Sequence, residues 1–427
     1  MTVWLVVAVI GLLALLGAPL FIVIGAFAMY AFFHAQIDSS AVIINLYDIA
    51  NNPVLIAIPL FTFAGYVLAE SNSPKRLVGV AQALFGWIPG GLAIVVLVTC
   101  AFFTAFTGAS GVTIVALGGL LYPVLLKEMY PERFSLGLVT ASGSIGLLFP
   151  PSLPIILYGL ISKADIDKLF LAGIIPGFIL IAFLSLYSVR VGIGAKVPRV
   201  RFSWQNIVFA VKGAMWEMPL PIIVIGGIYG GIFTATEAAA VTAFYVLVVE
   251  VFVYKDLKLF TDVPRVMKES MLLVGAILAI VGTALGLTNY LIDAEVPQKL
   301  FELVKANITS QVTFLLILNG FLIIVGMMMD IFSAILVVVP LILPVAAQFQ
   351  IDPIHLGMIF LTNLEIGYLT PPVGLNLFLS SLRFEKPVLH ITRSVLVFIL
   401  LEVIALMVIT YIPDLSLWLV SIVSRNP

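Results

Sequence analysis

The chain has 427 residues, of which 62% are hydrophobic and 10% are charged, and its formal net charge is −1. Soluble globular proteins carry about 25% charged residues. The composition, with a mean hydropathy of +1.21, therefore excludes a soluble chain and indicates an all-α membrane protein with many spans. A net charge close to zero does not indicate the basic surface that nucleic-acid-binding proteins carry. One cysteine and three scattered histidines exclude a disulfide framework and a metal cluster of such residues.

In chain order, the apolar run at about 1–33 is too long for a signal peptide and predicts a retained first span. A second apolar block covers about 41–70. No linker marks a separate soluble domain, so we expect 1–427 to be a single transmembrane domain. The first half then predicts further helical segments at 87–105, 111–126, 133–147, 153–162 and 169–189.

The connector at about 190–217 is the most polar and basic part of the chain. The positive-inside rule puts it in the cytoplasm, and its alternating aromatic and polar residues predict an amphipathic helix at the membrane interface. Two shorter spans follow within 219–254, and a second basic cluster ends at Lys268. The rest of the chain predicts helical segments at 270–290, 296–306, 311–328, 331–347, 356–369, 373–382, 389–412 and 414–423.

Glycines and prolines interrupt the apolar stretch Phe103–Gly159 in a way that a purely lipid-facing segment would avoid. Broken backbone at membrane depth persists only where it is buried in protein or lines a wet cavity. The stretch Gly326–Ser381 repeats the pattern, since a shift of 221 positions superimposes four of its Gly and Pro residues, including both proline pairs, and also takes Gly65 to Gly286. We expect a first repeat at about 40–190 and a second at about 260–385. Paired interrupted segments of this kind point to a transporter's binding site.

Three motifs, in this order and spacing, resemble the large membrane subunit of the TRAP (tripartite ATP-independent periplasmic) transporters. They are TGASG…GSIGLLFPPS, IGGIYGGIFTATEAAAV and GMMMD…GYLTPPVGLNLF, which begin at Thr107, Ile225 and Gly326. The resemblance implies two inverted repeats with broken-helix hairpins that move as an elevator. It also implies sodium-driven import of an organic acid, such as sialic acid or a C4-dicarboxylate, across the bacterial inner membrane. The implied partners are a periplasmic substrate-binding protein and a small four-helix membrane subunit.

The proline pairs predict the ion sites, because two successive residues without an amide proton free carbonyls of the interrupted turn. Sodium prefers such oxygens, with hydroxyls completing its coordination. We expect no other cofactor. The alternative is that each proline pair only kinks packed helices. We expect a first sodium site at Thr107, Ser110, Gly146, Phe149 and Pro151, and a second at Gly326, Asp330, Gly367, Thr370 and Val373.

The substrate is expected near the same breaks, and no arginine lies within the TGASG, FPPS, GMMMD and TPPVG motifs, so amides and hydroxyls should recognise it. Glu237 is either functional or part of a helix start with Thr234. Asp330 and Glu365 lie deeper in apolar sequence, where an acid indicates function. The residues expected near the substrate are Gly108, Pro150, Ser152, Glu237, Pro371 and Pro372.

Two alternatives come from other classes of protein. A self-sufficient sodium/anion symporter would need no soluble partner, and the sequence does not separate it from a TRAP subunit. An intramembrane enzyme is the remote alternative, since no HExxH, GxSxG or paired aspartate motif is present. We therefore expect a transporter and not an enzyme.

Overall fold

A computed structural model describes residues 2–15, 18–38, 40, 44, 47, 54–197, 201–308 and 310–425. Within these ranges all regular secondary structure is helical. Seven helices are long and apolar enough to cross a membrane, or up to nine spans exist if two bent helix pairs each count as one. The predicted all-α, multi-span fold is confirmed. Most of the start of the first expected repeat, namely residues 41–43, 45–46 and 48–53, and residues 198–200 of the connector lie outside the described residues.

The first part of the chain follows the predicted order of segments, and the polar connector carries a short helix. The helices up to residue 253 are α1 (Thr2–Leu15), α2 (Leu20–His34), α3 (Val54–Glu70), α4 (Ser73–Phe85), α5 (Gly91–Thr107), α6 (Ser110–Lys127), α7 (Glu132–Ser142), α8 (Leu153–Ser162), α9 (Ile166–Gly194), α10 (Trp204–Gly213), α11 (Pro219–Tyr229) and α12 (Ala235–Val253). Helix α10 is amphipathic, with Ile207 buried and both Trp204 and Phe209 exposed.

The second half repeats the helix plan of the first. Its helices are α13 (Asp262–Asp293), α14 (Val296–Asn307), α15 (Gln311–Met328), α16 (Ile331–Gln348), α17 (Pro353–Gly367), α18 (Leu375–Phe384), α19 (Val388–Tyr411) and α20 (Asp414–Arg425). Helix α16 begins and ends 221 residues after α6, which is the shift that the Gly and Pro pattern predicts. The short helices after the proline pairs, α8 and α18, correspond within two residues at the same shift.

The two breaks arise differently in the two halves. Helix α5 ends because Gly108 adopts a left-handed conformation, with φ of 64°, which costs a glycine little. Helix α15 ends at Met328 because Met329 is extended, and Asp330 then caps α16. The sequence difference between TGASG and GMMMD therefore reflects two ways of stopping a helix at equivalent positions.

Helix packing places both broken segments beside one group of long helices. Helix α3 packs against α12 and α13, and α2 packs along α13. Helix α3 also contacts α5, and α13 contacts α16. The α2, α3, α12 and α13 group thus borders the break after α5 and the break before α16.

Candidate functional site

The first break is closed by backbone contacts of two glycines. A Cβ on Gly146 would lie 2.2 Å from the carbonyl oxygen of Ala101, so the turn before the first proline pair rests directly on α5. A Cβ on Gly108 would lie 2.4 Å from Leu153, the first residue of α8. These contacts bring the TGASG and FPP segments together, as the ion-site prediction requires.

The second break is closed in the same way. A Cβ on Gly367 would lie 2.5 Å from backbone atoms of Gly326. The Gly374 amide donates to the carbonyl of Met327 at 3.1 Å, and the Ile331 amide donates to the Tyr368 hydroxyl at 2.6 Å. The GMMMD and TPPVG segments are therefore also in contact.

Equivalent carbonyls at the two breaks accept equivalent hydrogen bonds. The Gly146 carbonyl accepts from the Phe149 amide at 3.0 Å, and the Gly367 carbonyl accepts from the Thr370 amide at 3.0 Å. A carbonyl oxygen has two lone pairs, so each can still bind another group. The Thr370 hydroxyl donates to the Ile366 carbonyl at 2.8 Å and likewise keeps its own lone pairs.

The two proline pairs differ in burial. Both are joined by cis peptide bonds. Pro150, Pro151 and the following Ser152 are buried, whereas Pro371, Pro372 and the following Val373 are exposed. The Ser152 hydroxyl has no hydrogen-bond partner in the described part of the chain. The two expected ion sites therefore have similar backbone geometry, and one is enclosed by protein whereas the other lies at the protein surface.

Asn376, on α18, joins the two halves and was not predicted. Its side-chain oxygen accepts from the Ser110 hydroxyl at 2.8 Å, and its amide nitrogen donates to the Ser144 hydroxyl at 3.3 Å. Its backbone amide donates to the Tyr368 carbonyl at 3.1 Å. The signal that could have identified it is an amide side chain within the apolar run GLNLF. Asn376 thus links the first break to the turn of the second.

A cavity of about 400 Å³ lies between the breaks and α13. Predicted residues from both halves line it: Gly108 and Ser110 from the first, and Asp330 from the second. The residues lining it include no lysine or arginine. The first residues of three helices, α6, α16 and α18, also reach this cavity.

The N-termini of those three helices differ in their capping. Asp330 caps α16, since its carboxylate accepts from the Ser333 amide at 3.0 Å and from the Ser333 hydroxyl. The capping residues of α6 and α18 are Ala109 and Gly374, and neither makes a side-chain cap hydrogen bond. The N-terminus of α6 therefore presents amides without a side-chain cap at the cavity, where a helix favours negative charge. At α18 the Gly374 and Asn376 amides already donate to the carbonyls of Met327 and Tyr368, so this N-terminus offers fewer free amides.

Comparison with known proteins decides the family. The family model described as "Tripartite ATP-independent periplasmic transporter, DctM component" matches residues 4–415. The chain belongs to this family. The resemblance stated from the three motifs is thereby confirmed, and the protein is a TRAP transporter large permease.

Several similar permeases are known by name. The TRAP permease is 36% identical to "C4-dicarboxylate TRAP transporter large permease protein DctM" of Pseudomonas aeruginosa, over 92% of each chain. It is 33% identical to "Ectoine TRAP transporter large permease protein TeaC" of Halomonas elongata, over 98% of this chain and 99% of that one. The solved YdaH transporter of Alcanivorax borkumensis superimposes with a TM-score of 0.65 at 15% identity, covering 89% of this chain and 87% of that one. That likeness supports the fold alone.

Glu237 of the TRAP permease lies apart from the residues around the cavity. It is exposed at the start of α12, and with Thr234 it forms a capping box. Its carboxylate accepts from the Thr234 amide at 2.8 Å, and its own amide donates to the Thr234 hydroxyl at 3.3 Å. The structure therefore gives Glu237 the helix-start role that the sequence left open.

Two buried acids of the permease have no hydrogen bonds. Glu365 on α17 and Glu402 on α19 are 1% and 0% exposed, and their carboxylate oxygens have no partner among the described residues. Burying a carboxylate without a partner costs free energy. The burial of Glu365 is therefore consistent with the expectation that this residue has a role in function. In the part of the permease that the structure describes, no three His, Cys, Asp or Glu side chains are grouped as metal ligands.

Proposed function

We propose that this TRAP permease imports an organic acid driven by a sodium gradient, with C4-dicarboxylates as the first candidates. The observation that carries this proposal is the N-terminus of α6, which has no side-chain cap and opens on a cavity that the first residue of α18 also reaches. Oriented amides at a helix N-terminus bind carboxylates without an arginine. Relatives named for C4-dicarboxylates and for ectoine support a small carboxylate as the substrate.

Sodium coupling is supported by the oxygen atoms at the two breaks. The hydroxyl and carbonyl oxygens of Ser110, Gly146, Gly367 and Thr370 keep lone pairs for a cation. We propose the first site at Thr107, Ser110, Gly146, Phe149 and Pro151, and the second at Gly326, Asp330, Gly367, Thr370 and Val373. Hard cations such as sodium prefer oxygen ligands of this kind.

An elevator movement is supported by the wall opposite the breaks. Helix α13 contributes Leu273, Ala276, Ile277 and Ile280 to the cavity, and none of these side chains can hydrogen-bond a substrate. An apolar wall allows the broken segments and their cargo to slide past without losing polar contacts. We further propose that a periplasmic binding protein delivers the acid in a bacterial inner membrane. The small four-helix subunit would complete the transporter.

Uptake into proteoliposomes tests the proposal. The complete transporter, with its small subunit, would be supplied with binding protein and radiolabelled succinate, with and without an inward sodium gradient. We expect accumulation only with sodium. Uptake sustained by a pH gradient in sodium-free buffer would overturn sodium coupling, and uptake without binding protein would favour the self-sufficient symporter.

A further inference from the structure

The cavity between the breaks and α13, here called the central cavity, adjoins a second cavity. The second cavity, here called the vestibule, has a volume of about 290 Å³ and lies between α3, α6 and the start of α13. Three residues belong to the lining of both cavities: Tyr66 on α3, and Gly111 and Val112 on α6. These residues form the neck between the two cavities.

The vestibule opens to water and not to lipid. Its lining includes Glu70 and Glu269, and Arg265 pairs with Glu70 at 2.8 Å and with Glu269 at 3.7 Å. The side chains of these three residues are between 36% and 51% exposed. Glu70, Arg265 and Glu269 form what is here called the rim of the vestibule. Exposed charges are costly against the hydrocarbon core of a bilayer, so this rim lies at an aqueous surface.

The rim lies at the end of the molecule that carries the basic connectors. Glu70 ends α3, and the Asn72 side chain just beyond it donates to Asp256 at 3.0 Å. That contact ties the rim to the loop holding Lys255 and Lys258. Basic loops mark the cytoplasmic side, so the vestibule faces the cytoplasm.

We infer that the vestibule is the route by which the cavity releases its cargo to the cytoplasm, and that Tyr66 sets the width of the neck. A Cβ on Gly111 would lie 2.7 Å from the side chain of Leu379, which also lines the vestibule, so the α6 side of the neck is already closely packed. Tyr66 is half-buried and faces both cavities. Its ring is therefore the adjustable side. That the cargo is an organic acid rests on the proposed function; the route itself does not.

Thiol labelling tests the route, because Cys100 is the only cysteine and is buried. In a Cys100→Ala background, Ala276→Cys reports on the central cavity and Val115→Cys reports on the vestibule. Gln350 is exposed in the turn after α16, and the neighbouring Phe349 ring packs on Phe301 of α14. Because α14 follows the end of α13 that lies away from Arg265, Gln350→Cys serves as a reporter near the opposite end. The reporters would be treated with a membrane-impermeant thiol reagent, in inside-out and right-side-out vesicles without sodium or substrate.

We expect Ala276→Cys and Val115→Cys to react faster from the cytoplasmic face, and Gln350→Cys to react faster from the other face. Adding Tyr66→Trp should slow labelling of Ala276→Cys about tenfold and leave Val115→Cys unchanged, whereas Tyr66→Phe should change neither. Faster labelling of Ala276→Cys from the periplasmic face would overturn the route. An unchanged rate with Tyr66→Trp would overturn the role of Tyr66. The labelling rate measures access alone, so neither result depends on sodium coupling or on the substrate.

Discussion

The guanidinium carbon of Arg76 lies 3.7 Å from the centroid of the Tyr254 ring, close enough for a cation–π contact. The same guanidinium donates to Glu217 at 2.7 Å, to Glu250 at 2.8 Å and to Asp256 at 2.6 Å. One arginine on α4 thus holds the end of the connector, the end of α12 and the loop after it. This cluster fixes helix α4 to the end of the connector and to α12.

Removing Arg76 should destabilise the protein strongly. Arg76→Ala leaves three acids without their cation, two of them fully buried, and breaking a buried pair costs about 3–5 kcal/mol. Arg76→Lys should recover part of this, since an ammonium group lacks the planar fork of a guanidinium. Melting temperature in detergent measures both. Lys168→Ala is the control because its pair with Asp165 is exposed and 3.9 Å long, and an equal loss there would contradict the prediction.

The acids of this cluster should give stability two opposite pH dependences. Burial acts to raise the pKa of Asp256, but hydrogen bonds from Asn72 and Arg76 outweigh it and lower that pKa below 3.8. Its stabilisation is present above pH 3.8 and is lost as the pH falls through the lowered value. Burial raises the pKa of Glu217 above 4.5, with Arg76 opposing. Its contribution is present below pH 4.5 and is lost as the pH rises through the raised value.

Melting curves across pH separate these two dependences. Asp256→Asn should flatten the loss of stability at acid pH, and Glu217→Gln should flatten the decline above pH 4.5. A Glu217→Gln variant that keeps the wild-type slope above that pH would refute this assignment. Glu70→Gln, in the separate pair with Arg265, serves as the matched control.

Removing a hydroxyl at either break should weaken sodium binding, so that uptake needs a higher sodium concentration. Ser110→Ala and Thr370→Ala each remove one proposed ligand, and losing about 1–3 kcal/mol raises the half-saturating sodium concentration roughly tenfold to a hundredfold. Sodium titration of uptake measures this shift. Ser380→Ala is the control, because its hydroxyl is buried on Thr140 at 2.9 Å and lines neither cavity. If both break variants keep the wild-type midpoint, the ion-site interpretation is wrong.

Asn376 should act together with Ser110. Asn376→Ala removes the link from Ser110 to Ser144, so its effect on the sodium midpoint should not add to that of Ser110→Ala. Residues in one hydrogen-bond network couple by about 0.5–3 kcal/mol. Asn319→Ala provides the comparison, since Asn319 bonds Thr410 at 3.1 Å and shares no partner with Ser110. Additive effects in the Ser110 and Asn376 pair would count against the link.

The glycine contact at the second break should tolerate no added methyl. Gly367→Ala would place a Cβ 2.5 Å from Gly326 backbone atoms, and overpacking of this kind costs about 1–3 kcal/mol or more. Gly320→Ala is the matched control because nothing lies within 4 Å of its added Cβ. We expect a large fall in melting temperature for the first and no loss for the second. Equal melting temperatures would show that α15 and α17 can separate without cost.

Helix positions follow from the sequence because apolar length and helix-breaking residues are local properties. The predicted segments 311–328 and 153–162 match α15 and α8 at both ends. The contacts around Arg76 could not be predicted, since they join residues 141 to 180 positions apart. Asn376 was missed for a similar reason. Its partners come from the other half of the chain, and an isolated amide in an apolar run does not reveal which helix it faces.

The unequal burial of the two proline breaks gives ion binding an order. If both breaks hold sodium, an inner ion at Pro150–Pro151 would be enclosed by protein and would have to lose its water inside it, whereas an outer ion at Pro371–Pro372 would lie at the protein surface. The inner ion would then exchange slowly and the outer ion quickly. Loading would run from the inside outward, and the outer ion would be the first to leave once the sodium concentration falls.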